Sequence, residues 1–313
     1  MHHALFVVAG ILAVGAVLTG LGARLIERAH PPRGRFVDVA GSRQHIVELG
    51  GAGDASAGAP PLLLLHGAGC NLEDMRLALG ESLAARHRVI LVDRSGLGWS
   101  ERNHRRGSSP ASQAAILRGV LDRLGVTRAI VVGHSWGGAL AAAFALDHPE
   151  RTAGLVLLAP PLYPHLRGMT WLYTPMALPF AGWLFARSLA LPLSLLAIGP
   201  GIASAFLPQR TPRRYLKRSA ALLLLRPATF LANARDVAEL KTNLAAQAAR
   251  YATLAAPTTI MTGSSDPVVP PRQHAEPFAA AVPHAKLVVL PGIGHMLHHA
   301  AKDRVIMEIE KLE

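Results

Sequence analysis

The feature that most constrains this chain is a serine between two glycines, where an apolar run ends and a helical one begins. The apolar, β-branched run at residues 129–132 stops at Gly133, and residues 139–146 form a small-residue helical run. A strand that reverses abruptly into a helix strains its middle residue and crowds the positions two before and two after it, where only glycine fits. Gly133, Ser135 and Gly137 have that spacing. The pattern predicts a serine nucleophile; the alternative is a loop serine without a chemical role, which the flanking strand and helix disfavour.

Three further motifs, the last in two parts, occur in a defined order around this serine. His66-Gly67-Ala68-Gly69 follows one apolar run, and Asp93-Arg94-Ser95-Gly96-Leu97-Gly98-Trp99-Ser100 follows the next. Two later apolar runs end in Gly263-Ser264-Ser265-Asp266-Pro267 and Gly292-Ile293-Gly294-His295. With these motifs in this order, the chain from about residue 36 to its C-terminus resembles the α/β-hydrolase fold superfamily. The resemblance is to capped serine hydrolases of the bacterial type with an N-terminal membrane anchor.

Short apolar runs recur along the chain and alternate with helical patterns. Besides the run before the serine, they occupy residues 61–65, 88–92, 154–159, 257–262 and 286–290. Continuous apolar runs are typical of strands buried on both faces of a parallel sheet. The alternation predicts an α/β fold with a doubly wound, mostly parallel sheet and right-handed crossovers. Residues 36–40 and 44–49 predict an initial hairpin, and residues 113–124 predict a helix before the serine motif.

The chain divides into three parts by composition. The strand signal stops at Pro160 and Pro161 and returns only after about residue 250. The resemblance implies a helical cap inserted at this point. We therefore expect a membrane anchor and linker at 1–35, a hydrolase core at 36–160 and 251–313, and a cap at 161–250.

The resemblance also implies a catalytic triad in the family's order of serine, acid and histidine. Ser135 is expected to be the nucleophile, His295 the base that takes its proton, and Asp266 the acid that orients the imidazole. Each follows an apolar run, and the carboxyl ends of parallel strands meet at one edge of a sheet. Asp266 could instead simply cap a turn. His298 and His299 compete with His295, but both lie beyond the turn on the last helix, so we expect them at the surface.

Two backbone amides are expected to bind the oxyanion. In the family, one N–H comes from the loop after the first buried parallel strand and the other from the residue after the nucleophile, which here are Ala68 and Trp136. The alternative for this glycine-rich loop is an ordinary strand-to-helix turn. We expect Cys70 to pack beside the loop without acting as a second nucleophile. Asp93 is expected to cap its own turn.

Charge, cysteine content and histidine spacing exclude several classes of function. The formal charge is +12, but aromatic residues make up only 5% of the chain and no nucleic-acid-binding motif occurs, so we expect no nucleic-acid partner. A mean hydropathy of +0.29 fits an anionic membrane surface better. The single cysteine excludes an internal disulfide. The spacing of His295, His298 and His299 is not accompanied by a His-Glu-x-x-His pattern or an adjacent carboxylate, so neither a metal nor another cofactor is expected.

Residues 4–23 form an N-terminal run without charged side chains. About 20 helical residues span ~30 Å, the thickness of a bilayer's hydrocarbon core. A cleaved signal peptide is disfavoured because no Lys or Arg precedes the run, and a buried core helix because the run is apolar on all sides. We therefore expect an uncleaved single-pass anchor. The positive-inside rule predicts a cytoplasmic catalytic domain, because only Glu27 opposes the arginines that follow, Arg24, Arg28, Arg33 and Arg35.

The first part of the cap segment is apolar, and no acidic side chain occurs in the cap before Asp236. Residues 169–207 contain a single charge, Arg187, and no Asp or Glu occurs between Arg151 and Arg235. A basic cluster follows the apolar part: Arg210, Arg213, Arg214, Lys217 and Arg218. One hypothesis is that the cap rests on an anionic bilayer; the alternative is that its helices only pack on the sheet and line the pocket. A complete second transmembrane hairpin is disfavoured by Pro175, Pro179 and Pro192.

These observations predict a membrane-anchored serine hydrolase that cleaves apolar carboxylic esters, of the esterase or lipase type, through an acyl-Ser135 intermediate. The expected substrate is an apolar small-molecule or lipid ester. Epoxide hydrolases and haloalkane dehalogenases share the fold but use an aspartate nucleophile, so Ser135 speaks against both. The same triad would also serve a cofactor-free, haloperoxidase-like perhydrolase or a carbon–carbon bond hydrolase. A non-catalytic anchored binding protein is the alternative from another class.

Overall fold

An eight-stranded sheet forms the centre of the protein, in a computed structural model that describes residues 2–51, 59–103, 107–166 and 169–312. Its strands are β1 (Arg35–Val39), β2 (Ser42–Leu49), β3 (Leu62–Leu65), β4 (Val89–Val92), β5 (Ala129–His134), β6 (Thr152–Leu158), β7 (Thr258–Gly263) and β8 (Lys286–Leu290). Their spatial order is β1-β2-β4-β3-β5-β6-β7-β8. The predicted α/β fold with a mostly parallel sheet is confirmed.

The sheet departs from parallel only at β2, which is antiparallel to both of its neighbours, β1 and β4. The predicted hairpin is therefore present, and it closes with Val39 opposite Ser42. From β4 to β8 every neighbouring pair in the sheet is parallel. The loop expected at residues 50–60 falls largely on 52–58, outside the described residues.

Helices cover both faces of the sheet and extend beyond it. They are α1 (His2–Ala29), α2 (Leu72–Met75), α3 (Glu81–Leu83), α4 (Pro110–Arg123), α5 (Trp136–Asp147), α6 (Met169–Ala177), α7 (Pro179–Ser188), α8 (Ala190–Phe206), α9 (Tyr215–Arg218), α10 (Pro227–Ala248), α11 (Ala275–Ala281), α12 (Leu297–Ala300) and α13 (Lys302–Glu310). Helix α4 begins three residues before the predicted position because Ser109 caps its N-terminus and Pro110 occupies the first turn.

Alternate side chains of the central strands face two different helical layers, because successive residues of a strand point to opposite sides. Leu63 and Val131 pack with Phe144 of α5 on one face. Leu64 packs with Leu79 on the other face. The strands are thereby buried on both sides, and the carboxyl ends of β5, β7 and β8 lie along one edge, where the predicted site residues follow.

The segment between β6 and β7 is built from helices. Its described residues, 159–166 and 169–257, contain α6 to α10 and no strand. Helices α7 and α8 meet at an angle of 77°, and this bend is called the cap corner below. Pro179 begins α7 and Pro192 lies in the first turn of α8. Only when taken together as one bent span are α7 and α8 long and apolar enough to cross a membrane. That the prolines disfavour a complete second transmembrane hairpin stays a prediction.

The N-terminal helix α1 is long and largely exposed. It has 28 residues and extends beyond both ends of the predicted apolar run at residues 4–23. Only 11% of its most apolar stretch is buried within the protein. Among the described residues it is the single helix that is by itself long and apolar enough to cross a membrane.

Candidate active site

Ser135 stands at the sharp turn between β5 and α5. Its backbone has φ 52° and ψ −122°, which is the strained conformation expected at this position. A Cβ on Gly133 would lie 2.2 Å from the carbonyl oxygen of Gly137. A Cβ on Gly137 would lie 2.5 Å from the carbonyl oxygen of Leu65. The crowding that the glycine spacing predicted is therefore present.

Ser135, His295 and Asp266 form one chain of hydrogen bonds. The Ser135 hydroxyl lies 2.9 Å from Nε2 of His295, and Nδ1 of His295 lies 2.8 Å from Oδ2 of Asp266. The other carboxylate oxygen of Asp266 accepts the backbone N–H groups of Val268 and Val269, at 2.8 and 2.9 Å. These bonds fix the carboxylate, so Nδ1–H donates to it and Nε2 is left to accept from the serine.

Of the two residues whose amides were predicted to bind an oxyanion, Ala68 borders the same cavity as Ser135, and Trp136 directly follows Ser135 in the chain. Trp136 is the first residue of α5, and Ala68 lies in the loop after β3. Neither N–H has an acceptor among the described residues, and a Cβ on neighbouring Gly67 would lie 3.2 Å from Cβ of Ser135. The loop is held by Asn233 of α10, whose side-chain oxygen accepts the Gly69 N–H at 2.7 Å. The role of the two amides stays a prediction.

A buried ion pair beneath this loop was not found from the sequence. Arg94 donates to Asp236 of α10 at 2.9 Å, and its guanidinium stacks 3.9 Å from the Trp136 ring centroid. Burial lowers the pKa of Arg94 to about 10, against the opposing effect of Asp236. Arg102 binds the second oxygen of Asp236 at 2.7 Å. Sequence reasoning missed this cluster because Asp236 lies in the cap, 142 residues from Arg94.

Asp93 has the structural role that was predicted for it. Its buried carboxylate accepts the backbone N–H groups of Leu72 and Trp99, both at 2.8 Å. It also lies 2.7 Å from Nδ1 of His45 on β2. Asp93 therefore joins the second motif to α2 and to the hairpin, and it forms no hydrogen bond with the candidate triad.

The prediction that His298 and His299 lie at the surface was wrong. His298 is completely buried, and both imidazoles contact Asp74, at 3.0 and 2.8 Å. The Tyr215 hydroxyl donates to the same carboxylate at 2.7 Å. Helix α12 turns its histidines inward because Asp74 on α2 offers them a buried carboxylate, a partner far away in the sequence.

His134 lies between His298, which binds Asp74, and His295 of the candidate triad. The His134 ring lies 4.0 Å from the His298 ring and 5.0 Å from the His295 ring, between centroids. Its Nε2 is 3.2 Å from the carbonyl oxygen of His295. Burial holds the pKa of His134 well below its usual value, so this ring is neutral near pH 7. Burial alone would raise the pKa of Asp74, but His298 and His299 lower it well below the ordinary value.

Asp74, His298 and His299 are also the described residues best placed to hold a metal ion. Their potential ligand atoms lie within 4.8 Å of one another. Here these atoms form hydrogen bonds with each other. His295, which the sequence spacing grouped with the two histidines, binds Asp266 and Ser135 instead.

A cavity of about 640 Å³ opens above Ser135. Its walls come largely from apolar side chains of the cap, including Ile198, Phe230 and Val237. Cys70 also lines it, and burial raises the pKa of this thiol, which keeps it protonated and a poor nucleophile. The described lining residues include no Lys, Arg, Asp or Glu. The site can therefore activate a serine beside an apolar pocket.

A family model for the α/β hydrolase fold matches residues 60–301. The chain belongs to the α/β-hydrolase fold family. A 2-hydroxy-6-oxononadienedioate/2-hydroxy-6-oxononatrienedioate hydrolase of Paraburkholderia phymatum is 44% identical over 108 residues, 34% of this chain and 38% of that protein. A 2-hydroxymuconate semialdehyde hydrolase of Pseudomonas putida is 35% identical over 46% of this chain and 51% of its own length. An uncharacterised protein of Mycobacterium tuberculosis is 29% identical over 92% of this chain and 83% of its own length.

Solved structures share the fold at lower identity. A meta-cleavage product hydrolase from Pseudomonas fluorescens IP01 is 23% identical with a TM-score of 0.64, covering 88% of this chain and 96% of that one. An esterase from Exiguobacterium antarcticum is 18% identical with a TM-score of 0.68, covering 90% of this chain and 99% of that one. At these identities the likeness shows the fold alone, and the two neighbours have different activities. The chain therefore has the α/β-hydrolase fold, and it spans less than half the length of the first curated relatives that it matches.

Proposed function

We propose that this protein is a serine hydrolase that cleaves uncharged, apolar carboxylic esters. The observation that carries the proposal is the hydrogen-bonded chain from Asp266 through His295 to Ser135, which ends in a cavity without charged walls among its described residues. A half-buried serine hydroxyl joined to a buried imidazole and a buried carboxylate suits acyl transfer. Apolar walls stabilise an apolar acyl chain by removing it from water.

In the proposed reaction, the Ser135 oxygen attacks the ester carbonyl carbon while Nε2 of His295 takes the hydroxyl proton. The carbonyl oxygen becomes an anion and accepts the N–H groups of Ala68 and Trp136. The C–O bond to the alcohol then breaks, and His295 returns its proton to the departing oxygen. Water, deprotonated by His295, hydrolyses the acyl-Ser135 ester and regenerates the serine. Asp266 keeps Nδ1 protonated and stabilises the imidazolium in both halves.

Carbon–carbon bond hydrolysis is the second candidate, because several relatives have names of that class. The first of them acts on a dienedioate, a substrate with two carboxylates. Placing a carboxylate in a largely apolar cavity that offers no cation is costly. The described cavity walls contain no Lys or Arg, so they favour an uncharged ester over that substrate.

The proposed location is the membrane. Helix α1 has the length and composition of a single span, and the arginines that follow it favour a cytoplasmic catalytic domain. A membrane position would supply apolar esters at high local concentration. No other partner is needed for the proposed reaction.

A fluorophosphonate probe and two substrates test the proposal on the full chain in detergent. We expect the probe to label the wild type and hydrolysis of p-nitrophenyl butyrate to exceed hydrolysis of a 2-hydroxy-6-oxo dienoate. Ser135→Ala should abolish both labelling and hydrolysis, whereas Ser82→Ala, which changes an exposed serine on α3, should retain them. Preference for the dienoate would favour the carbon–carbon hydrolase. Absence of labelling and turnover would favour the binding protein.

A further inference from the structure

Helix α1 and the cap corner pack against each other through small residues. A Cβ on Gly15 would lie 2.7 Å from the carbonyl oxygen of Ser188, and a Cβ on Gly22 would lie 3.1 Å from the Leu191 side chain. Between them, the buried Thr19 hydroxyl donates to the same Ser188 oxygen at 2.9 Å. Small residues and a hydroxyl hydrogen bond on one helical face are typical of helix contacts inside bilayers.

The position of this contact along α1 indicates its depth. Arg24 and Arg28 are exposed and are the first basic residues after the apolar run. Thr19 precedes them by a distance of about 7 to 14 Å along the helix axis. If the arginines lie at the lipid headgroups, the contact with Ser188 lies inside the hydrocarbon layer, whose full thickness is about 30 Å. The cap corner would then enter the leaflet that contains the C-terminal half of α1.

The outer surface of the cap corner has the side chains that such a position requires. Phe180 is 75% exposed and Leu196 is 80% exposed, and Trp183 and Leu193 are also exposed. They continue the exposed apolar surface of α1. Arg187, the one charge of this region, stacks on the Trp183 ring at 5.0 Å and lines a cleft with Ala23 and Glu27. Its guanidinium therefore reaches towards the charged end of α1, as an arginine near an interface does.

The charges beside the exposed apolar surface of the cap corner indicate which kind of surface it contacts. The basic cluster after α8 is exposed, and no carboxylate among the described residues forms an ion pair with any member of it: Arg210, Arg213, Arg214, Lys217 and Arg218. Each basic residue near an anionic membrane surface is worth about 1 kcal/mol. Exposed apolar helices bordered by unpaired basic residues match an anionic bilayer.

Helix α8 has one face towards the active-site cavity and another towards the outside. Residues 194, 197, 198, 201, 202 and 205 line the cavity at helical spacing. Leu193 and Leu196 are on the exposed side. A single helix therefore separates the apolar cavity from the apolar outer surface.

We infer that α1 and the cap corner form one intramembrane unit, through which the active-site cavity takes its ester substrate directly from the lipid layer. This inference rests on the proposed ester hydrolysis for its substrate, but not for the position of the cap corner. It identifies the substrate class as an uncharged ester dissolved in the membrane. The position and the route are tested separately.

Depth-dependent fluorescence quenching tests the position. The full chain, in a Cys70→Ser background, is labelled with an environment-sensitive dye at Leu196→Cys, reconstituted in phosphatidylcholine–phosphatidylglycerol vesicles and exposed to acyl-chain spin labels or aqueous iodide. We expect spin labels to quench this dye as strongly as a dye at Leu18→Cys on α1. A dye at Met307→Cys on α13, an exposed apolar position of the core, is the control and should respond to iodide. Iodide quenching at Leu196, without spin-label quenching, would overturn the proposed position.

The route is tested by a ratio of two hydrolysis rates measured on the same variant. We expect Leu196→Arg to lower hydrolysis of a long-chain ester in vesicles more than tenfold relative to hydrolysis of p-nitrophenyl acetate in solution. Met307→Arg should leave this ratio as in the wild type. An unchanged ratio in Leu196→Arg would overturn uptake through the membrane. If no ester were hydrolysed by any form, the proposed function would fail while the quenching result still decided the position.

Discussion

The carboxyl edge of the sheet and the cap corner are opposite in character. At the sheet edge, polar side chains are buried and held by several hydrogen bonds, as Asp266 is by three donors. At the cap corner, apolar side chains such as Phe180 and Leu196 are exposed. In the proposed function, the sheet edge would carry the chemistry, and the cap and α1 would determine which molecules reach it.

The cap as a whole is joined to the core at a few buried polar contacts. Asp236 of the cap binds Arg94 of the core, and Asn233 holds the loop that carries Ala68. Tyr215, also from the cap, donates to Asp74 beneath the catalytic segment. On this view, substitutions at the sheet edge should slow the reaction for every substrate, and substitutions at the cap corner should affect only substrates that come from the membrane. Substitutions at the buried polar contacts between cap and core should affect both regions.

The largest effect is expected at the sheet edge from Asp266→Asn. Asparagine can still accept the N–H groups of Val268 and Val269, but its NH₂ group would face Nδ1 of His295 and favour the wrong tautomer. We expect kcat to fall by about 10⁴-fold to the same extent for dissolved and vesicle-bound esters. The measurement is steady-state hydrolysis of both substrates, with Asp303→Asn, which changes an exposed carboxylate on α13, as the control. A selective loss for the vesicle-bound ester would contradict the division between the two regions.

A smaller effect, on stability, is expected from Asp236→Asn at the buried contact between cap and core. The substitution leaves the buried guanidinium of Arg94 without its carboxylate partner, and Arg102 loses the same partner. Removing one member of a buried ion pair costs about 3–5 kcal/mol. Urea unfolding of the full chain in detergent measures the change. Glu276→Gln, which changes an exposed carboxylate on α11, is the control and should be nearly neutral. Equal free energies of unfolding for the two variants would show that the ion pair between Asp236 and Arg94 does not stabilise the protein.

The smallest effect is expected from Asp74→Asn, which tests whether the buried histidine group supports the triad. The loss of charge weakens the contacts with His298 and His299, and the His134 ring transmits the disturbance to His295. Misplacing a catalytic group by about 1 Å costs about 10²-fold in rate, so we expect kcat to fall by roughly 10- to 100-fold with KM nearly unchanged. Tyr215→Phe removes one donor and should reduce kcat less. A rise in KM with kcat retained would place Asp74 in substrate binding instead.

Local patterns made much of the fold and the candidate triad predictable. The apolar runs at 61–65 and 286–290 became strands, the first completely buried and the second with only Val288 buried. The glycines beside Ser135 have the close contacts that their spacing required. Such features depend on neighbours within a few residues, so the sequence displays them directly. The inward position of His298 and His299 was not predictable in this way, because Asp74 is more than 220 positions away in the chain.

The sequence by itself determined the sheet, the serine turn, the order of the triad residues and an N-terminal run long enough to span a bilayer. Each of these follows from steric or apolar patterns that act over short distances along the backbone. Only the tertiary structure decided that Asp236 binds Arg94, that Asp74 binds His298 and His299, and that α1 packs on the cap corner. Those contacts join residues far apart in the chain, and their partners are selected by how the layers pack.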